Sequence, residues 1–251
     1  MSTHDRAVSD LVGFILSFSL ILLSVSVVYT GGFAAINDQQ EAEQIRNTER
    51  AISVLAENFD DIERGAAPTR AGELQLSGGT LSVNRSGRFT VLVGVDNGTA
   101  PETVRTGALS YTHRGTDISY ENGAVLRTDE EYGFMSREPT ITCQDDKAVV
   151  SLVEIYPRGN LTSVSTDGSV LVTVEKQGTA LYYPSRENKT VVNRADEAHS
   201  VTIRIDESRH QDAWERWFDE RAGWNQTAEG YTCEAETVFV RTTKVGVRLL
   251  R

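Results

Sequence analysis

The residues of this chain that could do chemistry are four histidines, two cysteines and a set of Asn-x-Ser/Thr triplets, and their spacing decides which chemistry. His4, His113, His199 and His210 stand apart, and none falls in H-E-x-x-H, in a metal-spaced cluster or beside a recognisable nucleophile motif. Neither G-x-S-x-G nor the phosphate-cradling G-x-x-x-x-G-K-[ST] occurs. The acidic run Asp129-Glu130-Glu131 lacks the alternating oxygen-ligand spacing of a calcium loop, so a solvated face is expected there. The residues therefore give no catalytic site, no metal site and no cofactor. A triad or carboxylate pair assembled from distant positions is beyond the reach of sequence.

Cys143 and Cys233 are the only cysteines, with neither a C-x-x-C motif nor His/Cys neighbours at metal-ligand spacing. A disulfide is the natural reading, with a pair of inert buried thiols as the alternative. Five of the ten asparagines, Asn84, Asn97, Asn160, Asn188 and Asn225, open N-glycosylation-type triplets. Ser and Thr make up 45 of 251 residues, so chance would supply roughly two such triplets. Disulfide and glycans both require that the bulk of the chain be exported.

These groups need elements to carry them. Leu11 to Tyr29 is a run of 19 residues without a charge. At about 1.5 Å per helical residue it spans roughly 28 Å, close to the hydrocarbon thickness of a bilayer. Arg6 and the amino terminus lie on one side of it, while Asp38, Glu41 and Glu43 precede Arg46 on the other, which places the N-terminus inside and the bulk outside. An export signal cut after Ala34, where Gly32-Phe33-Ala34 offers a small-x-small site, is the alternative, although its apolar region would be unusually long. A formal net charge of -11 disfavours a nucleic-acid partner, because phosphate binding needs a basic face. Only four of the 25 basic residues are lysines; acidic, lysine-poor chains resemble haloarchaeal proteins, and a GC-rich genome accounts for the bias equally well.

Beyond the membrane run, Gly31-Gly32 is expected to loosen or kink the helix, since glycine costs a helix about 1 kcal/mol relative to alanine. Helix then resumes: Ile45, Ile52, Leu55, Phe59 and Ile62, with Thr48 in register, recur at spacings of three and four along one narrow seam. Such a seam must meet something, either the protein's own head or neighbouring copies as well. Gly65-Ala66-Ala67-Pro68 ends it. Alternating segments follow ("ELQLSGGTLSV", "RFTVLVGV", "DISYENGAVLR", "KAVVSLVEIY", "SVLVTVEK", "SVTIRID", "ETVFVRTTKVGVRLL") that read as half-buried strands, with Gly78-Gly79 and Asn122-Gly123 as two-residue hairpin turns. One helix interrupts them in "HQDAWERWFDERAG", where Trp214, Trp217 and Phe218 share a face and are expected in the core. The fold class is α+β: a long N-terminal membrane and stem helix, then an antiparallel β-sandwich-like head with one short helix. The organisation is a polar stretch at 1–7, a transmembrane helix at 8–36, an amphipathic stem at 37–65 and an extracellular β-rich head at 69–251.

"RAVSDLVGFIL" resembles the class III signal of haloarchaeal type IV pilin-like proteins, in which a short polar leader ending in a basic residue and Ala or Gly precedes the apolar helix. The resemblance covers about 30 residues; the common version continues with Ser-Pro where Ser9-Asp10 stand here. It implies that a membrane prepilin peptidase recognises Arg6 and cuts between Ala7 and Val8 on the cytoplasmic side, so that the helix is retained. The function implied is a non-enzymatic surface subunit serving adhesion or filament assembly. Its expected partners are the lipid bilayer, the peptidase and other pilin-like subunits or further copies of itself. It would cross the cell membrane once, with an extracellular head. The alternative is a monomeric, membrane-anchored domain that binds an extracellular ligand.

Overall fold

The computed structural model describes residues 3–96, 98–130, 132–187, 190, 191, 194 and 197–251, with backbone alone at 3–10, 30–35, 37, 38, 100, 186, 187, 190 and 191. One helix, α1, runs from Thr3 to Glu63. It passes through Gly31-Gly32 without leaving the helical state. Glycine weakens a helix through backbone entropy but removes no N–H from the ladder, so it permits a kink without compelling one. The end falls at the expected place. Gly65 takes a positive φ of 78°, the Ala66 N–H bonds the Asp61 carbonyl at 2.8 Å and the Gly65 N–H bonds Ile62 at 3.1 Å, the paired pattern of a Schellman cap.

The strands follow in chain order: β1 (Thr69–Gln75), β2 (Thr80–Asn84), β3 (Arg88–Val95), β4 (Gly98–Val104), β5 (Ala108–His113) and β6 (Thr116–Glu121). Next come β7 (Ala124–Asp129), β8 (Tyr132–Arg137), β9 (Ile141–Gln144), β10 (Lys147–Pro157), β11 (Ser163–Ser165) and β12 (Ser169–Tyr183). The chain closes with β13 (Arg186–Glu187), β14 (Thr190–Val191), β15 (Ala198–Glu207), α2 (Gln211–Asp219), β16 (Trp224–Thr227), β17 (Gly230–Glu234) and β18 (Thr237–Leu250). They form a five-stranded sheet in the order β1-β12-β18-β10-β9, a six-stranded sheet β11-β2-β5-β6-β7-β8, a second five-stranded sheet β16-β17-β15-β3-β4 and the ribbon β13-β14.

The class is α+β and the pairing is almost wholly antiparallel, as the alternating segments imply. The described strands of the head form three larger sheets and a two-stranded ribbon. The one parallel pair among the described residues joins β10 to β18, which sit side by side in the middle of the first sheet although their starts are 90 positions apart. Asn122-Gly123 makes the β6–β7 hairpin, with positive φ at both residues (50° and 84°). Gly78-Gly79 also takes positive φ at both positions, but it carries the chain from β1 in one sheet to β2 in another and is no hairpin. Turn chemistry specifies a reversal; which sheet the next strand enters depends on contacts made elsewhere.

The chain divides into two compact units, Met1–Asn47 and Thr48–Arg251. The head therefore begins inside α1, some twenty residues before the expected boundary at 69. Ile52, Phe59 and Ile62 are fully buried and Leu55 nearly so, at 3%. On one side this last stretch of helix meets the first sheet: Gly72 of β1 leaves room for the Leu55 side chain, where a Cβ would stand 3.0 Å from its Cδ1. On the other it meets the six-stranded sheet, with Phe59 stacked on Tyr120 at 4.1 Å between ring centroids. The seam is an internal spine of the head. Its apolar face at 52–62 is taken up by the chain itself and leaves nothing there for a neighbouring copy, which corrects the expectation of an assembly surface at Ile52, Leu55, Phe59 and Ile62. Ile45, in the first unit, is buried as well.

A second core lies between the two five-stranded sheets and under α2. Phe89, Val91, Val150, Leu152, Val201, Ile203, Val238 and Val240 pack there with Trp214, Trp217, Phe218, Trp224 and Tyr231. The three aromatic residues of α2 are core, as their spacing predicts.

Candidate functional site

Leu11–Tyr29 carries 19 residues of mean hydropathy 2.6, and none of them is buried. A run that is apolar on every face has no wet side to offer, so periodicity cannot hide it against a core. At about 1.5–3 kcal/mol for each large apolar side chain removed from water, more than a dozen of them strongly favour an apolar surrounding. By length and composition this segment is a membrane anchor or a signal sequence. Backbone helix includes Arg6, Ala7 and Val8; their side chains lie outside the described residues.

The same helix is pinned into the head at its other end by arginines drawn from distant strands. Arg127 of β7 pairs with Glu49 at 3.0 Å. Arg137 of β8 reaches both oxygens of Asp60, at 2.6 and 3.3 Å, and Arg70 of β1 pairs with Asp61 at 2.9 Å. At the helix end, Glu63 is buried and accepts hydrogen bonds from Ser151 Oγ at 2.6 Å and from the Arg241 guanidinium at 2.8 Å, while Arg241 Nε also donates to Ser151 at 2.7 Å. A buried carboxylate is tolerable only with such partners, and removing one would leave the other charge stranded. Arginine suits the role because its planar fork can hold two oxygens at once.

Cys143 of β9 and Cys233 of β17 are joined in a disulfide, with a Cα–Cα separation of 6.1 Å. The bond links the first five-stranded sheet to the second. Gly223, with φ of 88°, comes so close to it that a Cβ there would stand 2.8 Å from Cys143 Sγ.

Of the glycosylation triplets, Asn160 and Asn225 are exposed, the first in the β10–β11 connection and the second on β16, an edge strand. Asn84 on β2 is half-buried; its Oδ1 accepts from the Ser86 hydroxyl at 2.7 Å, and its Nδ2 points to Ser110 Oγ at 3.5 Å. Asn97 and Asn188 lie outside the described residues. In the acidic run, Asp129 holds Arg127 and the Thr116 hydroxyl, Glu130 is exposed, and Glu131 lies outside the described residues.

Sequence reasoning missed a buried polar network around His210. Its Nε2 lies 3.0 Å from Asp117 Oδ1 and its Nδ1 2.7 Å from Thr128 Oγ1. Burial pulls the Asp117 carboxyl upward, but hydrogen bonds from His210 and Ser119, with the charges of His210 and Arg209, outweigh it and hold the group below the ordinary carboxylate value. An Asp–His–Thr line of this kind has the order of a proton relay. His210 is itself only 3% exposed, while Thr128 is half-buried. The network ties the start of α2 to the six-stranded sheet. Both faces of β6 are covered, which is the one signal the sequence carried: Ile118 and Tyr120 alternate with Asp117, Ser119 and Glu121, all in a single strand. Among the described residues no group of three or more His, Cys, Asp or Glu is arranged to hold a metal.

One family model matches the chain, a family of unknown function (DUF7289), over residues 6–248. No curated protein and no solved structure matches it.

Proposed function

We propose that this chain, which belongs to the DUF7289 family across its helix and its head alike, is a non-enzymatic, membrane-anchored surface subunit of the type IV pilin-like kind. One observation carries the reading: the exposed apolar run Leu11–Tyr29 and the head's internal spine are parts of a single uninterrupted helix. An export signal cut near Ala34 discards its apolar segment and needs no such continuity. A retained anchor that carries a folded domain does. The disulfide between Cys143 and Cys233 and the exposed Asn160 and Asn225 agree with a head that folds outside the cytoplasm.

In this reading the Arg6–Ala7–Val8 leader is cut by a prepilin peptidase, the helix from Val8 is stored in the bilayer, and subunits leave the membrane when neighbouring helices replace lipid around it. Assembly contacts then come from the apolar run and from the outer surface of the head, because the spine at 52–62 is already occupied. That occupation also favours the second reading, a monomeric anchored domain that binds an extracellular ligand, since it removes one surface on which copies would meet.

Fractionation separates the two. Under the first reading the native protein sediments with membranes, resists an alkaline wash, requires detergent for release and is recovered as well in filaments sheared from the cell surface. A detergent-released protein that is monomeric and absent from every sheared fraction would favour the second. Recovery of the head wholly in the medium, free of the helix, would contradict both.

A further inference from the structure

We infer that the cleft between α2 and the edge strand β8 is a binding site for a neutral saccharide, with Tyr132 and Phe134 as an aromatic ledge beside it. β8 is the last strand of the six-stranded sheet, and α2 packs against it. Between them lies a cavity of about 370 Å³, with buried Trp217 and half-buried Met135 among its apolar walls and Arg216, Arg221, Glu138 and Glu220 as its charged ones. Phe134 lines the same cleft and is 42% exposed; Tyr132, two positions along the strand and on the same face, is 79% exposed. Aromatic rings left this wet beside a cleft offer apolar area that folding has not used.

The lining selects the class of ligand. Among the described residues its two guanidiniums and two carboxylates cancel, so neither an anion nor a cation gains a net attraction there. Arg221 pairs with Glu138 and lies over the Trp217 ring, 5.2 Å from its centroid, which holds a guanidinium fork and a carboxylate side by side. The fork carries five N–H donors, more than one carboxylate engages, and the carboxylate keeps lone pairs to spare. Together they match hydroxyls, which donate and accept at once, while the aromatic rings suit the C–H face of a sugar ring. The volume stands at the small end of ligand pockets, which run from roughly 300 to 1,000 Å³, and suits one or two such rings.

An added β-strand is the other occupant that an edge invites, since edge strands offer unpaired backbone groups. Here Arg216 donates to the Gly133 carbonyl, so the edge is capped at that point by a side chain of α2. Gly133 is also closed over by the helix, and a Cβ there would stand 3.4 Å from that of Ala213. Arg127 lies over the Phe134 ring at 5.8 Å from its centroid and fixes it in place. What is left is a preformed cleft with side-chain walls, which suits a small ring better than a backbone. The inference rests on the head standing outside the cytoplasm, as proposed above, where free and glycan-borne sugars are met.

Saturation-transfer NMR on the full chain, held in a detergent without a sugar headgroup, tests this with glucose, galactose, mannose, N-acetylglucosamine and galacturonate as probes. Ring C–H protons of at least one neutral sugar should receive saturation at millimolar concentration. Phe134→Ala and Arg221→Ala should each weaken that binding by about tenfold or more, and Phe134→Tyr should retain it. Leu171→Ala, which removes a 41% exposed side chain from β12 in another sheet, should leave it unchanged. Should Phe134→Ala or Arg221→Ala fail to fold, Tyr132→Ala takes their place, because it deletes a ring that lies mostly in solvent, and a loss of about threefold or more is expected. No transfer to any neutral sugar, preference for galacturonate over galactose, or binding undiminished in the variants each overturns the site. None of these results bears on the anchor, which the fractionation tests by itself.

Discussion

Replacing Phe59 with alanine is expected to destabilise the head by about 3–5 kcal/mol, the range for deleting a fully buried aromatic side chain. Phe59 has no exposed surface, stacks on Tyr120 and stands midway along the spine between two sheets. Neither sheet can collapse into the space without pulling the helix from its ion pairs with Arg127, Arg137 and Arg241. For a domain of this size each kcal/mol shifts the melting midpoint by roughly 2–4 °C, so a fall of about 6–20 °C is expected in thermal unfolding of the full chain in detergent. Val54, five residues earlier and 63% exposed, supplies the control: Val54→Ala should stay within about 0.5 kcal/mol of the parent. Equal effects at both positions would mean that the helix is not the spine of the head.

The second large effect is expected from the disulfide. Opening the Cys143–Cys233 bond releases a loop with a sequence separation of 90. In the chain-entropy treatment closing such a loop stabilises by roughly 4–5 kcal/mol, an upper figure that neglects residual structure in the unfolded chain. The bond is also the covalent tie between two sheets whose shared core contains Trp214, Phe218 and Tyr231, so its loss should loosen that core more than the spine. Unreduced protein denatured with an alkylating agent should show no reactive thiol. Reduction, or the double substitution Cys143→Ser with Cys233→Ser, should lower the melting midpoint by more than Phe59→Ala lowers it only if the unfolded chain is close to random. Two alkylated thiols before reduction would contradict the bonded state.

Local signals were legible and their partners were not. The apolar run, the spacing of Ile52, Leu55, Phe59 and Ile62, the Gly65 cap, the Asn122-Gly123 hairpin and the aromatic face of α2 are all written in residues a few positions apart, where helix period, turn chemistry and β alternation act. What covers the seam is not written there. Glu49 meets Arg127, Asp60 meets Arg137 and Glu63 meets Arg241 across 78, 77 and 178 positions, and no period links them. The Glu121–Trp214 and Asp117–His210 contacts span 93 positions each. Several strands were also silent. β4 contains Pro101 and sits at a sheet edge, where a missing N–H is tolerated; β16 is four residues long with three of them exposed; and β9 is short and half-wet. Edge strands carry little of the alternating burial that makes a strand readable. The number of sheets was not legible for a related reason, since alternation reports that a strand has a dry face and is silent on which sheet provides the cover.

The account rests on one helix being at once anchor and spine, kept whole while the leader is removed. N-terminal sequencing of the protein purified from native membranes tests that most directly. A chain that starts at Val8, with everything after it retained, is the predicted result. A start at Ala35 would separate the spine from the apolar run and make the head a secreted domain. A start at Met1 or Ser2 would leave an uncleaved anchor with no processing by a prepilin peptidase. Either of these contradicts the proposed subunit.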